Sequence, residues 1–210
     1  MPSNDPLSGL LPMPTEDELL FMSDELEELR SIIQRNEAVI IAGAPVMAWW
    51  GVCNSLAGLW NFFEQMGYLP SVPVAPFNAM AGYGGTLLMV MLMGTSKTFK
   101  LEGQAIVTAW LAVALAIPLL VIGCYARGVT DLPLISGLQC TLLMIATAVT
   151  AMGSRRRWLL WVAAGWAICA GVMLFAITEF WRPMLFSVAC LVLLTAPGIY
   201  LFLSSRRTLI

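Results

Sequence analysis

The chain contains no histidine, and that absence removes His-ligated haem, imidazole-built zinc and copper sites, and every Ser-His or Cys-His catalytic pair. Charge is scarce as well: Asp, Glu, Lys and Arg make up 11% of 210 residues, where a soluble domain carries about 25%. The five cysteines, Cys53, Cys124, Cys140, Cys169 and Cys190, are scattered singly with no CxxC spacing, so no metal cluster is expected from them. They read as small apolar packing residues. Only Cys124 and Cys140, near the outer ends of adjacent apolar segments, are candidates for a disulfide. No cofactor, no metal and no enzymatic activity are expected, since neither a paired acid and base nor an activated nucleophile is visible.

What the sequence has in abundance is apolar surface: 59% of residues are hydrophobic and the mean hydropathy is +0.81. The apolar residues fall in long runs at 38–63, 77–95, 104–125, 134–153, 158–178 and 184–203, each near the ~20 residues that cross ~30 Å of hydrocarbon. The expected fold is an all-α membrane protein: a six-transmembrane-helix bundle made of three helical hairpins, preceded by an N-terminal amphipathic cytoplasmic helix. Residues 1–14, with Pro2, Pro6, Pro12 and Pro14, are expected to be disordered. They lack the basic and apolar regions of a cleavable signal peptide, so the N-terminus is expected to be kept. Residues 15–37 form the amphipathic helix and 38–210 the membrane domain.

Charge divides the chain into opposite parts. Residues 1–37 hold nine acids against Arg30 and Arg35, a net −7, and the remainder has a net +5. Lys97 and Lys100, the Arg155-Arg156-Arg157 run, and Arg206 with Arg207 sit on one set of links. The alternate links carry Glu64, Arg127, Asp131, Glu179 and Arg182. The positive-inside rule then places both termini in the cytoplasm of a bacterial-type inner membrane. The lipid bilayer is one expected partner; an acidic head repels nucleic acid, so none is expected there.

Thr15-Glu16-Asp17-Glu18 reads as a capping box that starts a helix. Leu19, Met22, Leu26, Leu29 and Ile33 follow at steps of three and four, forming one apolar seam among acids. A helix of this length is marginal alone. The seam therefore lies on the protein's own cytoplasmic loops, docks a protein partner, or joins a second copy as a homo-oligomer.

A weak repeat runs through the three hairpins. Ala48-Trp49, Ala109-Trp110 and Gly165-Trp166 fall in the odd segments, and Thr86-Leu87-Leu88-Met89 matches Thr141-Leu142-Leu143-Met144. Rows of small residues, Ala44 with Ala48 and Ala163 with Ala167 and Gly171, are expected to allow close helix approach. Pro45, Pro118 and Pro197 should kink their segments. Gly82, Gly84 and Gly85 follow no strand and make no phosphate loop. Met89, Met91 and Met93 alternate around a helix and read as lipid-facing bulk rather than soft-metal ligands.

No ionisable residue lies near the middle of any span, which argues against a carboxylate proton relay. Asn54, Ser55 and several threonines are expected to hydrogen-bond between helices. Asn61, Glu64, Asn78, Asp131, Gln139, Glu179 and Arg182 all map to the outer third of the bundle. They form either a solvated rim or, together with Trp60 and Trp181, the lining of a ligand pocket. The expected function is a non-enzymatic accessory, scaffold or sensory subunit that docks a partner through its acidic helix. The alternative is a small carrier or substrate-binding membrane component for a neutral compound.

Overall fold

A computed structural model describes residues 16–93, 104–128, 132–154 and 156–207, which are helical with short turns and contain no strand. Thr15 and the segment before it, with Lys97, Lys100, Glu102, Asp131 and Arg155, lie outside the described residues. The helices are α1 (Glu16–Gln65), α2 (Val74–Met93), α3 (Gln104–Ala126), α4 (Leu132–Ser154), α5 (Trp158–Phe175), α6 (Arg182–Cys190) and α7 (Ala196–Arg207). A five-residue π-helical segment, Leu191–Thr195, joins α6 to α7 into one last helix. Among the described residues, four stretches are long and apolar enough to cross a membrane: Ala105–Cys124, Leu134–Ser154, Trp158–Phe175 and Arg182–Ser204. Helix is the form such sequences take in lipid, because each backbone N–H and C=O must find its partner within the segment.

α1 runs unbroken for 50 residues, about 75 Å at 1.5 Å per residue. It passes through residue 38, where the sequence divides stem from membrane domain, and carries Pro45 inside it. On its N-terminal part Met22 and Leu26 are exposed; the side chains of Leu19, Leu29 and Ile33 are outside the described set.

Pro197 explains the winding of the last helix. A proline supplies no N–H and its ring crowds the carbonyl four residues earlier, here that of Leu193. The chain responds just upstream by widening to the π form: the Ala196 N–H reaches back to the Leu191 carbonyl, and Thr195 Oγ1 donates to the Cys190 carbonyl at 3.4 Å.

The hairpin scheme needs one correction. α1 packs on α2, and α3 on α4, as expected of hairpins, but α6 touches α5 only slightly. The last helix lies instead along α1, and α5 packs chiefly on α4. The contact with α1 is antiparallel and close. A Cβ added at Gly198 would meet Ala44 O at 2.8 Å and Ala48 N at 2.7 Å; one at Gly51 would meet Thr195 N at 2.7 Å; one at Gly58 would meet Pro183 O at 2.8 Å. Ser187 Oγ donates across it to the Ser55 carbonyl at 2.9 Å. Ala44, Ala48, Gly51, Ser55 and Gly58 are thus one row at steps of four and three, and small residues along it let the backbones approach. On α5 the expected small row does not play that part: Ala167 is exposed and a Cβ on Gly171 would meet nothing. α5 buries Leu159, Val162, Trp166, Cys169 and Met173 against α4 and the last helix.

The tryptophans of the first two units each bond to the following helix, at positions that are not equivalent in the repeat. The Trp49 indole donates to Ala81 O on α2 at 3.0 Å, and that of Trp110 to Thr150 Oγ1 on α4 at 2.9 Å. Trp166 departs from the pattern, being fully buried with its Nε1 unpartnered. Thr86 and Thr141 each donate to a glycine carbonyl four residues back, Gly82 and Gly137. Gly82 and Gly85 lie against the Trp50 and Trp49 rings, leaving no room for a Cβ. Their role is to receive tryptophans.

All five cysteines are free. The close pair is Cys140 and Cys169, with Sγ atoms 3.7 Å apart between α4 and α5, rather than Cys124 and Cys140. Only Cys124 is not buried. Under native conditions a polar maleimide should label Cys124 first, with the other four reacting only after denaturation, as counted by intact mass. Gly51→Val should cost roughly 1–3 kcal/mol through overpacking, whereas Gly84→Ala, which meets nothing within 4 Å, should cost nothing. Denaturant unfolding in detergent checks both.

Candidate functional site

A polar recess opens where α1 ends and α6 begins, between α1, α2, α4 and the last helix, with a cavity volume of about 390 Å³. That falls within the roughly 300–1,000 Å³ of small-molecule sites. From α1 come Asn54, Ala57, Gly58, Asn61, Glu64 and Gln65. These positions form one helical face, since 54, 58, 61 and 65 follow at steps of four and three. α2 adds Asn78; α4 adds Ile135, Ser136 and Gln139; α6 adds Arg182, Pro183 and Phe186.

Gly58 is what lets the recess form at this place. The first turn of α6 rests against it, with Pro183 O and Ser187 Oγ where a side chain would lie, and so Arg182 is held beside the amide face of α1. Trp181 is the N-cap of α6, and Pro183 stands in the first turn, a position suited to its fixed φ and missing N–H. Arg182 is 6% exposed. Its charge is permanent and sits at the positive end of the helix dipole, where anions rather than cations are favoured. Beside the recess, Phe62 packs on Phe180 and Trp181 at ring-centroid distances of 5.5 and 5.6 Å, which ties the end of α1 to the turn before α6.

The polarity of the α2 wall follows from a backbone anchor. Asn54 Nδ2 donates to the Trp50 carbonyl at 2.9 Å, so its Oδ1 faces Asn78 as an acceptor. Asn78 Nδ2 donates to it at 2.9 Å, which leaves Asn78 Oδ1 as a shielded acceptor with no partner. Flipping Asn78 would set two oxygens against each other. Trp50 is held in turn by Thr86 Oγ1, which accepts its Nε1–H at 3.0 Å, and by the edge of Tyr83 at 5.0 Å.

Of the residues singled out in the sequence, Asn61, Glu64, Asn78, Gln139 and Arg182 meet here, Trp181 stands beside the recess on Phe62, and Asp131 lies outside the described residues. Two others do not enter it. Glu179 is exposed in the turn between α5 and α6, and Trp60 is half-buried away from the recess with a shielded Nε1 that has no partner. Sequence reasoning gave Asn54 only a role in helix packing and passed over Ser136 and Gln65. The signal was present in the spacing, since Asn54 stands seven residues before Asn61, and Ser136 three before Gln139. Among the described residues, no group of three or more His, Cys, Asp or Glu is placed to hold a metal ion. The arrangement can donate and accept hydrogen bonds, with one cationic and one anionic group, and offers no activated nucleophile.

Asn54→Leu should release Asn78 and leave its amide unanchored, lowering stability by about 1–3 kcal/mol; Asn61→Ala, at an exposed position, should change stability by less than about 0.5 kcal/mol. Paired unfolding curves separate the two.

No family model matches the chain, and comparisons with curated proteins and with solved structures found no similar protein.

Proposed function

We propose that the chain is a six-span integral membrane protein of a bacterial-type inner membrane that receives a small, net-neutral polar molecule at the recess, acting as a carrier or substrate-binding component and not as an enzyme. The observation that carries this reading is the convergence of Asn54, Asn61, Asn78, Gln139, Glu64 and Arg182 on one cavity. A solvated rim would spread these groups over separate helix ends. In this reading the four apolar stretches are joined by α2 and by the C-terminal half of α1. α2 has 20 residues, about 30 Å of helix, enough for one crossing. Six crossings put both termini on the side of Arg156, Arg157, Arg206 and Arg207, the cytoplasm by the positive-inside rule, and the recess then opens outward.

A second reading is supported by α1 itself. Beyond the membrane half, its N-terminal part projects with Phe21, Met22 and Leu26 exposed among acids. Like charges disfavour a second copy of the same helix, so the occupant that fits is a partner protein with a basic helix. The chain would then be an accessory or scaffold subunit, and deleting residues 1–37 should abolish co-purification of that partner while leaving recess binding unchanged.

The main reading is checked by thermal unfolding of the purified protein against a panel of small polar compounds. At least one should raise the midpoint, since a ligand at 100 times its Kd contributes about 2.7 kcal/mol. Gln139→Leu should weaken that compound's binding about tenfold, one hydrogen bond's worth. A flat response across the panel counts against it. Reporter fusions at residues 1 and 210 should both read cytoplasmic.

A further inference from the structure

The buried thiols of the bundle stand outside the recess. Cys140 on α4 and Cys169 on α5 meet sulfur to sulfur at 3.7 Å. Each is six residues from one end of its apolar stretch, Leu134 and Phe175 respectively, about 9 Å of helix, so the pair shares one level inside hydrocarbon. The two helices approach closely there, since a Cβ added at Gly137 would meet Leu174 Cγ at 2.5 Å. Cys140 is fully buried and Cys169 nearly so, while the neighbouring Ile168 is 68% exposed on the outer face of α5. Cys190 on α6, fully buried as well, lies within electrostatic range of both.

We propose that Cys140 and Cys169 form a reversible disulfide within the membrane, and that its oxidant is a lipid-soluble quinone. Hydrocarbon narrows what two touching thiols can do, because it opposes charge. Two thiolates on a monovalent soft cation such as Cu(I), a metal that thiolates favour, would leave a net negative charge in the span. A disulfide is neutral, and so are the two thiols it replaces. Its sulfurs stand 2.03–2.05 Å apart, so about 1.7 Å remains to be closed from the observed contact, which asks for rotation of two short side chains and not for a new pairing of helices. In the reaction two S–H bonds break and one S–S bond forms. The two electrons and two protons pass to the carbonyl oxygens of the quinone, which leaves as hydroquinone, and no charge stays behind. Burial selects the oxidant. Glutathione and its disulfide are charged, and hydrocarbon opposes their entry to this depth, whereas a quinone dissolves in the bilayer and meets Cys169 from the Ile168 side of α5.

The test takes the full chain, reduced and in nanodiscs, and exposes it either to decylubiquinone in the bilayer or to glutathione disulfide in the buffer. Decylubiquinone is fully substituted on its ring, which disfavours thiol addition. Each sample is then denatured in the presence of a maleimide, without reductant, and its intact mass is measured. After the quinone, three of the five thiols should take label, and dithiothreitol should restore all five. The unlabelled mass should fall by two hydrogens. Glutathione disulfide should act more slowly by roughly tenfold or more. Peptide mapping should join Cys140 to Cys169. Cys140→Ala and Cys169→Ala should each label at all four remaining thiols after the quinone; should one variant fail to fold, the other and the map of the unmodified sequence decide. Five labels after the quinone, oxygen gained in place of hydrogen lost, a link through Cys190, or equal rates with the two oxidants overturns the proposal.

Discussion

Lipid gives two helices no hydrophobic reason to meet, so the contact between α1 and the last helix has to be made by close packing and by hydrogen bonds. Ala44, Ala48, Gly51, Ser55 and Gly58 on one side, with Gly198, Thr195, Ser187 and Pro183 on the other, bring the backbones within van der Waals reach. Everything at the recess depends on this seam. If Gly58 carried a side chain, the first turn of α6 would be pushed outward, and Arg182 with it. The π segment belongs to the same arrangement, because Thr195, which ends it, is the residue packed against Gly51.

The tryptophans do for α2 what the small residues do for the last helix. Trp49 and Trp50 press their rings into the gaps left by Gly85 and Gly82, and their indole N–H groups find acceptors on α2. Held this way, α2 presents Asn78 to Asn54. The recess is thus built on α1 by two kinds of complementary surface, large into small on one flank and small against small on the other. Asn54 is set by a backbone anchor and sets Asn78 in turn, which restricts the rotamers of that wall.

Much of this was legible in the residues. Long apolar runs, the scarcity of charge and the placement of prolines dictate helices for a hydrocarbon solvent. Pro197 announced a disturbance in the last helix, since a missing N–H must be accommodated, though not that it would take a π form. The polar residues gathering at one end were visible as a group. Which of them face each other was not: Trp60 and Glu179 share the level of the recess and stand outside it, while Asn54 and Ser136 enter it. Depth along a helix is readable from position in the chain, but direction around the bundle depends on which helices are neighbours.

The sequence by itself determined the helical character, the four strongest apolar stretches, the acidic first part of α1, and the small residues Ala44 and Ala48 at one end of the row that meets the last helix. The tertiary structure decided that the last helix lies along α1 instead of folding back on α5, that Cys140 meets Cys169 and not Cys124, and that Asn54, Asn78 and Arg182 surround one cavity. The physical reason is that hydropathy is a property of each segment alone, whereas in lipid the choice of neighbour rests on shape, on which gap fits which ring or backbone, and shape is shared between segments far apart in the chain.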